Sequence, residues 1–148
     1  MNIDGCFVIN LDHRTDRWQQ FATYAESFRR LGVAPERRSA VLGRELPGFG
    51  EKPWFRRPRE DKRSRAWAGK AGCTLSHVQA IREARARGWK AVLVLEDDVV
   101  PSESLDAIWR DAAAWLDQAG GDWAALYLYG HHPQAPARLC SDGQACRI

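Results

Sequence analysis

Ala91-Val92-Leu93-Val94-Leu95-Glu96-Asp97-Asp98 is the stretch that decides the fold: an unbroken apolar run meets three acids with nothing between them. A short apolar run bounded by polar residues reads as a buried strand, and such strands rarely end in uncompensated charge. In an open α/β sheet, ligands bind in the crevice beyond the carboxyl ends of the strands, so acids there stand where a substrate or metal would be held. Closely spaced oxygen donors suit a hard divalent ion such as Mn2+ or Mg2+, which keeps several waters and draws further ligands from a substrate's phosphates. The same acids would also suit the start of a following helix, whose dipole favours carboxylates.

Working outward, Cys6-Phe7-Val8-Ile9-Asn10-Leu11 reads as a second short strand, and Asp12-His13-Arg14-Thr15-Asp16 offers capping side chains to a helix. In that helix Trp18, Phe21, Ala25 and Phe28 recur at helical spacing until Gly32 stops it. A short strand is expected over residues 37–42, then a long loop over residues 43–65. Gly69-Lys70-Ala71-Gly72-Cys73-Thr74 reads as the glycine-bearing entrance to a helix whose apolar face is Leu75, Val78, Ile81 and Ala84 and whose end is Gly88. After the acids, Pro101 and Ser102 or Ser104 open a helix carrying Leu105, Ile108, Trp109, Ala112 and Leu116, closed by Gly120-Gly121. A last strand is expected at residues 123–129. Strand alternating with helix predicts an α/β fold, a mainly parallel sheet with helices on both faces over residues 1–130, followed by an irregular tail over residues 131–148.

The 148 residues suffice for one domain, and 45% hydrophobic with 28% charged residues is the balance of a globular chain. The formal charge is only +3, yet Lys52, Arg56, Arg57, Arg59, Lys62, Arg63 and Arg65 crowd into the loop. Such a run attracts anions: an anionic membrane surface, a phosphorylated small molecule or nucleic acid. Nucleic acid is not expected, because Trp54 and Phe55 are the run's only aromatics and no recognition motif accompanies them. No stretch approaches the roughly 20 apolar residues of a membrane span, and no secretory signal opens the chain, so a cytoplasmic site is expected, at the inner face of a membrane where the basic run engages one. Cys6 and Cys73 read as small buried residues, while Cys140 and Cys146 could pair, or join His131 and His132 at zinc.

Phosphates are held by cations, backbone amides and helix starts. Two places qualify, the turn bearing Asn10, Asp12, Arg14 and Arg17, and the glycine-bearing approach that carries Ser76 and His77. Neither has the glycine spacing or lysine-hydroxyl pair of a Walker loop. Together with the acidic strand end they would line one rim of a parallel sheet.

Three segments in this order, residues 7–18, Gly72-Cys73-Thr74-Leu75-Ser76-His77 and Val94-Leu95-Glu96-Asp97-Asp98-Val99, resemble glycosyltransferase family 25, which includes lipooligosaccharide and collagen galactosyltransferases. The resemblance runs from about residue 6 to residue 129. It implies a GT-A-like, Rossmann-like nucleotide-sugar fold in which residues 96–98 act as the DxD motif. Glu96 would face the ribose or the metal, and Asp98 would bind the Mn2+ or Mg2+ that bridges the donor diphosphate. Asn10, Leu11, Arg14 and Arg17 would surround the nucleotide, with Gly72, Ser76 and His77 near the diphosphate or sugar. The implied reaction is inverting transfer of a hexose, galactose first, from a UDP-sugar to a hydroxyl of a glycan or glycolipid acceptor, as in lipopolysaccharide biosynthesis. Asp97 and Asp98 are the candidate catalytic acids, and Asp97, Asp122 and His131 stand by position as candidate bases.

Family members usually continue well past the acidic motif, and this chain stops at Ile148. That favours, as the alternative, a catalytically incomplete nucleotide-sugar-binding or partner subunit without the acceptor half. An open sheet edge would promote a homo-oligomer.

Overall fold

The computed structural model describes residues 2–49, 64–118, 120 and 124–126. Its centre is β1 (Gly5–Asn10), every residue of which is buried, as a strand covered on both faces must be. Parallel neighbours flank it, β2 (Pro35–Ser39) on one side and β3 (Val92–Glu96) on the other, giving the order β2-β1-β3. Val8 stands opposite Arg37 and Leu95, while Asn10 pairs with Ser39 and Ile9 with Glu96. Because the strands are parallel, Asn10, Ser39 and Glu96 finish on the same rim.

Alternation along β1 builds two cores. Cys6 and Val8 pack with Phe21, Ala25, Phe28, Val33, Leu95 and Leu105, which come largely from α1 (Thr15–Ala22), α2 (Ala25–Arg29) and α4 (Leu105–Gln118). Phe7, on the opposite face, packs with Ala80 and Ala84 of α3 (Ser64–Ala86) and with Trp89, Val92 and Val94. The fold is therefore α/β with helices on both faces, consistent with a Rossmann-like or GT-A fold. The chain leaves β1 toward β2 and then returns past β1 to β3, so the strand order reverses between β1 and β3. That is the topological switch point at which open α/β sheets place ligands.

Several expected boundaries shift for physical reasons. The first helix is two: the Thr23 and Tyr24 amides donate to the Gln20 and Phe21 carbonyls and the Thr23 hydroxyl to Gln20, a tightened turn that closes α1. Phe21 and Phe28 still stack, with centroids 5.6 Å apart, and Gly32 takes φ +88° at the stop. The second strand lies at Pro35–Ser39 and not at 37–42, since its residues are mostly charged and give no apolar signal.

The largest correction concerns α3. It begins at Ser64, so Gly69 and Gly72 lie inside a helix and not at its entrance. Glycine inside a helix costs about 1 kcal/mol against alanine, and Gly72 has a packing reason. A Cβ there would overlap the Val41 carbonyl, and one on Gly43, in the 3-10 turn Gly43–Glu45, would overlap the Ala68 carbonyl. Two glycines thus let the chain after β2 press against the helix backbone.

α4 starts where serines were expected to open it, the Leu105 amide donating to the Ser102 carbonyl, and Gly120 follows with φ +65°. The expected last strand lies outside the described residues except for 124–126, which carry no strand. The basic run, apart from the backbone at Arg65, and the residues His131, His132, Cys140 and Cys146 also lie outside them. Among the described residues no helix is long and apolar enough to cross a membrane.

Candidate active site

Asn10, the last residue of β1, is 1% exposed and organises the rim at the switch point. Its Nδ2 donates to Asp97 Oδ2 at 2.6 Å and to the Arg14 carbonyl at 3.0 Å, while its Oδ1 accepts from Arg37 Nε at 2.8 Å. Both acceptor and donor ends of the buried amide are satisfied, the condition for burying it without penalty.

Asp97 is 8% exposed and lies in the turn after β3. Its second oxygen, Oδ1, accepts from Arg17 Nη1 at 3.0 Å, and the same nitrogen donates to Asp98 Oδ2 at 3.1 Å. A carboxylate this buried needs a charged partner and hydrogen bonds, and Arg17 with Asn10 supplies both. Asp97, expected as a candidate base, therefore has each oxygen engaged, whereas the Asp98 side chain is 60% exposed.

The turn from β1 to α1 departs from the capping expectation. Arg14 is the N-cap and its side chain makes no cap hydrogen bond. Its guanidinium instead forks onto Asp16, with bonds of 2.9 and 2.7 Å that hold the Asp16 carboxyl down to about 2. Asp12 accepts from Arg37 and from the Ser39 hydroxyl, each at 2.8 Å, and its carboxyl lies below the usual range chiefly through Arg37. Leu11 contributes its carbonyl to the Arg14 amide at 2.8 Å, shaping the turn.

From the opposite face of the sheet, α3 brings the other expected residues. Ser76 is buried and locked: its hydroxyl donates to the Gly72 carbonyl at 2.7 Å and accepts from the Val41 amide at 2.8 Å. Gly72 and Ser76 thus join the chain after β2 to α3. His77 lies one turn after Cys73, with Nδ1 3.0 Å from the Cys73 carbonyl and 3.7 Å from its sulfur. The Cys73 thiol donates to Glu96 Oε1 at 3.6 Å. The structure thereby gathers Asn10, Arg17, Asp97 and Asp98 in one network and Cys73, His77 and Glu96 in another.

Two residues escaped the sequence reading. Cys73 is exposed and not a buried apolar residue, and its thiol is pushed up by partial burial and by Glu96. Its spacing of four from His77 was the available signal. Arg37 looked like an ordinary strand residue, yet it reaches Asn10 and Asp12 together. Cys6 is buried as expected, which pushes its thiol up to about 12.

The rim can do two things chemically. Glu96 and Asp98 are exposed oxygen donors at the end of one strand, the donor type that hard divalent ions take. Arg17 sets a fixed positive charge beside Asp98.

The family model of glycosyltransferase family 25 (LPS biosynthesis protein) matches residues 3–128, a span that holds every residue of both networks. No curated protein and no solved structure matches the chain.

Proposed function

The chain belongs to glycosyltransferase family 25, implicated in LPS biosynthesis, and is a transferase; from that premise we propose that it moves a hexose, galactose first, from a UDP-sugar to a hydroxyl of a glycan or glycolipid. The observation that carries this reading is the switch point between β1 and β3, where Asn10, Arg17, Asp97 and Asp98 form one connected network.

Glu96 and Asp98 are the pair that would hold Mn2+ or Mg2+, which when bound supplies positive charge to the departing diphosphate. Arg17 adds a guanidinium whose position is already set by two carboxylates, so little reorganisation accompanies charge development. Asp97 serves this rim by position: anchored through Asn10 to β1 and through Arg17 to α1, it fixes the turn that presents Asp98. Transfer with inversion has the acceptor hydroxyl attack the anomeric carbon from the face opposite the diphosphate while a base takes its proton. The basic run at residues 52–65 suits an anionic glycolipid acceptor at a membrane surface.

The test is transfer from labelled UDP-galactose to a lipooligosaccharide acceptor in the presence of Mn2+. Labelled glycan that disappears when the metal is chelated supports the reading. Intact donor after long incubation with a panel of glycan and glycolipid acceptors would contradict it.

A further inference from the structure

Cys73 and His77 stand four residues apart on α3, so their side chains share one face of the helix, and that face meets Glu96 at the end of β3. The Cys73 sulfur is 3.7 Å from His77 Nδ1 and 3.6 Å from Glu96 Oε1, and the three ligand atoms all lie within 4.8 Å of one another. Around a tetrahedral zinc ion, with metal-ligand bonds of about 2.0–2.3 Å, neighbouring ligand atoms sit about 3.5 Å apart. The two sulfur distances match that spacing before any ion is added.

The donor set is equally specific. One sulfur, one imidazole nitrogen and one carboxylate suit a borderline-soft ion, whereas Mg2+ and Mn2+ prefer oxygen alone. Cys73 and Glu96 are exposed and His77 is half-buried, so an ion can enter from solvent, and three protein ligands leave a coordination position open. Nδ1 lies 3.0 Å from the Cys73 carbonyl, which can only accept, so that contact needs the proton on Nδ1; binding an ion at Nδ1 exchanges the carbonyl bond for the metal and leaves the proton on Nε2.

We propose that Cys73, His77 and Glu96 form a three-ligand site for Zn2+, separate in chemistry from the oxygen pair that would serve the sugar donor. The site goes beyond the transferase reading and shares only Glu96 with its metal pair, so it stands or falls without a nucleotide present.

The experiment titrates the full chain with Co2+ and then Zn2+, in a Cys140→Ser/Cys146→Ser background that removes the tail thiols. One equivalent of Co2+ should raise a sulfur-to-metal charge-transfer band, which Zn2+ then abolishes. Cys73→Ser should eliminate the band. His77→Ala should weaken Zn2+ affinity by more than about tenfold, the loss that even an outer partner of a metal ligand brings, and Asp98→Asn should leave it unchanged. In the chain with Cys73 intact, Zn2+ should also slow alkylation of Cys73, read by peptide mass spectrometry, a measurement that needs no ligand variant to fold. Absence of the band, its survival in Cys73→Ser, or alkylation of Cys73 at the same rate with and without Zn2+ would overturn the proposal.

Discussion

At the amino-end rim of the sheet, charge is spent on holding strands together. Asp4 accepts from the Lys90 and Ala91 amides at 2.7 and 2.9 Å, and Arg87 forks onto Glu36 while lying over Phe7 and Trp89. Gly5 leaves room for the Trp89 ring, which a Cβ would overlap. At the carboxyl-end rim the buried members, Asn10 and Asp97, are equally well paired, while the exposed Glu96 and Asp98 are held more lightly, Glu96 by the Cys73 thiol at 3.6 Å and Asp98 by Arg17 at 3.1 Å. The same strands thus end in a closed clasp on one side and in a supported, chemically open edge on the other. A satisfied charge contributes to folding, and an exposed one on a rigid base is available to a ligand.

The contrast breaks most readily at the core beneath the clasp. Phe7→Ala removes a side chain that is 0% exposed and should cost about 3–5 kcal/mol, read by denaturant unfolding. Asp98→Ala should do the reverse: transfer falls about 100-fold or more, while stability stays within about 0.5 kcal/mol of wild type. A large stability loss in Asp98→Ala would erase the distinction between the rims. Asn10→Ala lies between them, since it strips Asp97 of a buried donor. It should cost about 1–3 kcal/mol and also lower transfer by misplacing the acidic turn.

The smallest effect belongs to acid. Asp4 and Glu36 titrate below their ordinary values of 3.8 and 4.5, Asp4 through the Ala91 and Lys90 amides and Glu36 through Arg87. A carboxyl depressed by folding adds stability that is present above its ordinary value and lost as pH falls through the lowered one. The clasp should therefore loosen only below about pH 4.5, and Asp4→Asn should lower stability slightly at neutral pH and flatten its decline in acid. An unchanged acid limb in urea titrations would remove Asp4 from the clasp.

Legibility followed the same division. β1, β3 and the acidic turn could be read because apolar runs that end abruptly in polar residues are a strong local signal. β2 could not be bounded, as Arg37 and Arg38 contribute stems and charges in place of an apolar face. The early start of α3 was hidden by Gly69 and Gly72; Gly72 is required by the close approach of Val41 and Gly43, whereas a Cβ on Gly69 would meet nothing within 4 Å. Asn10, Arg17 and the acids were each visible as candidates. Their division into a buried anchor and an exposed pair depends on the pairing of strands 80 and more residues apart in sequence, as in the Asn10–Asp97 bond, which no local pattern encodes.

On the proposed reading, the open rim receives the diphosphate of an activated sugar through Asp98 and Arg17. The decisive experiment is calorimetric titration of UDP into the wild-type chain and into Asp98→Ala, each with and without Mn2+. Binding to wild type should require Mn2+ and be lost in Asp98→Ala; binding of equal strength in both chains, or binding indifferent to the metal, would rule out this role for the rim.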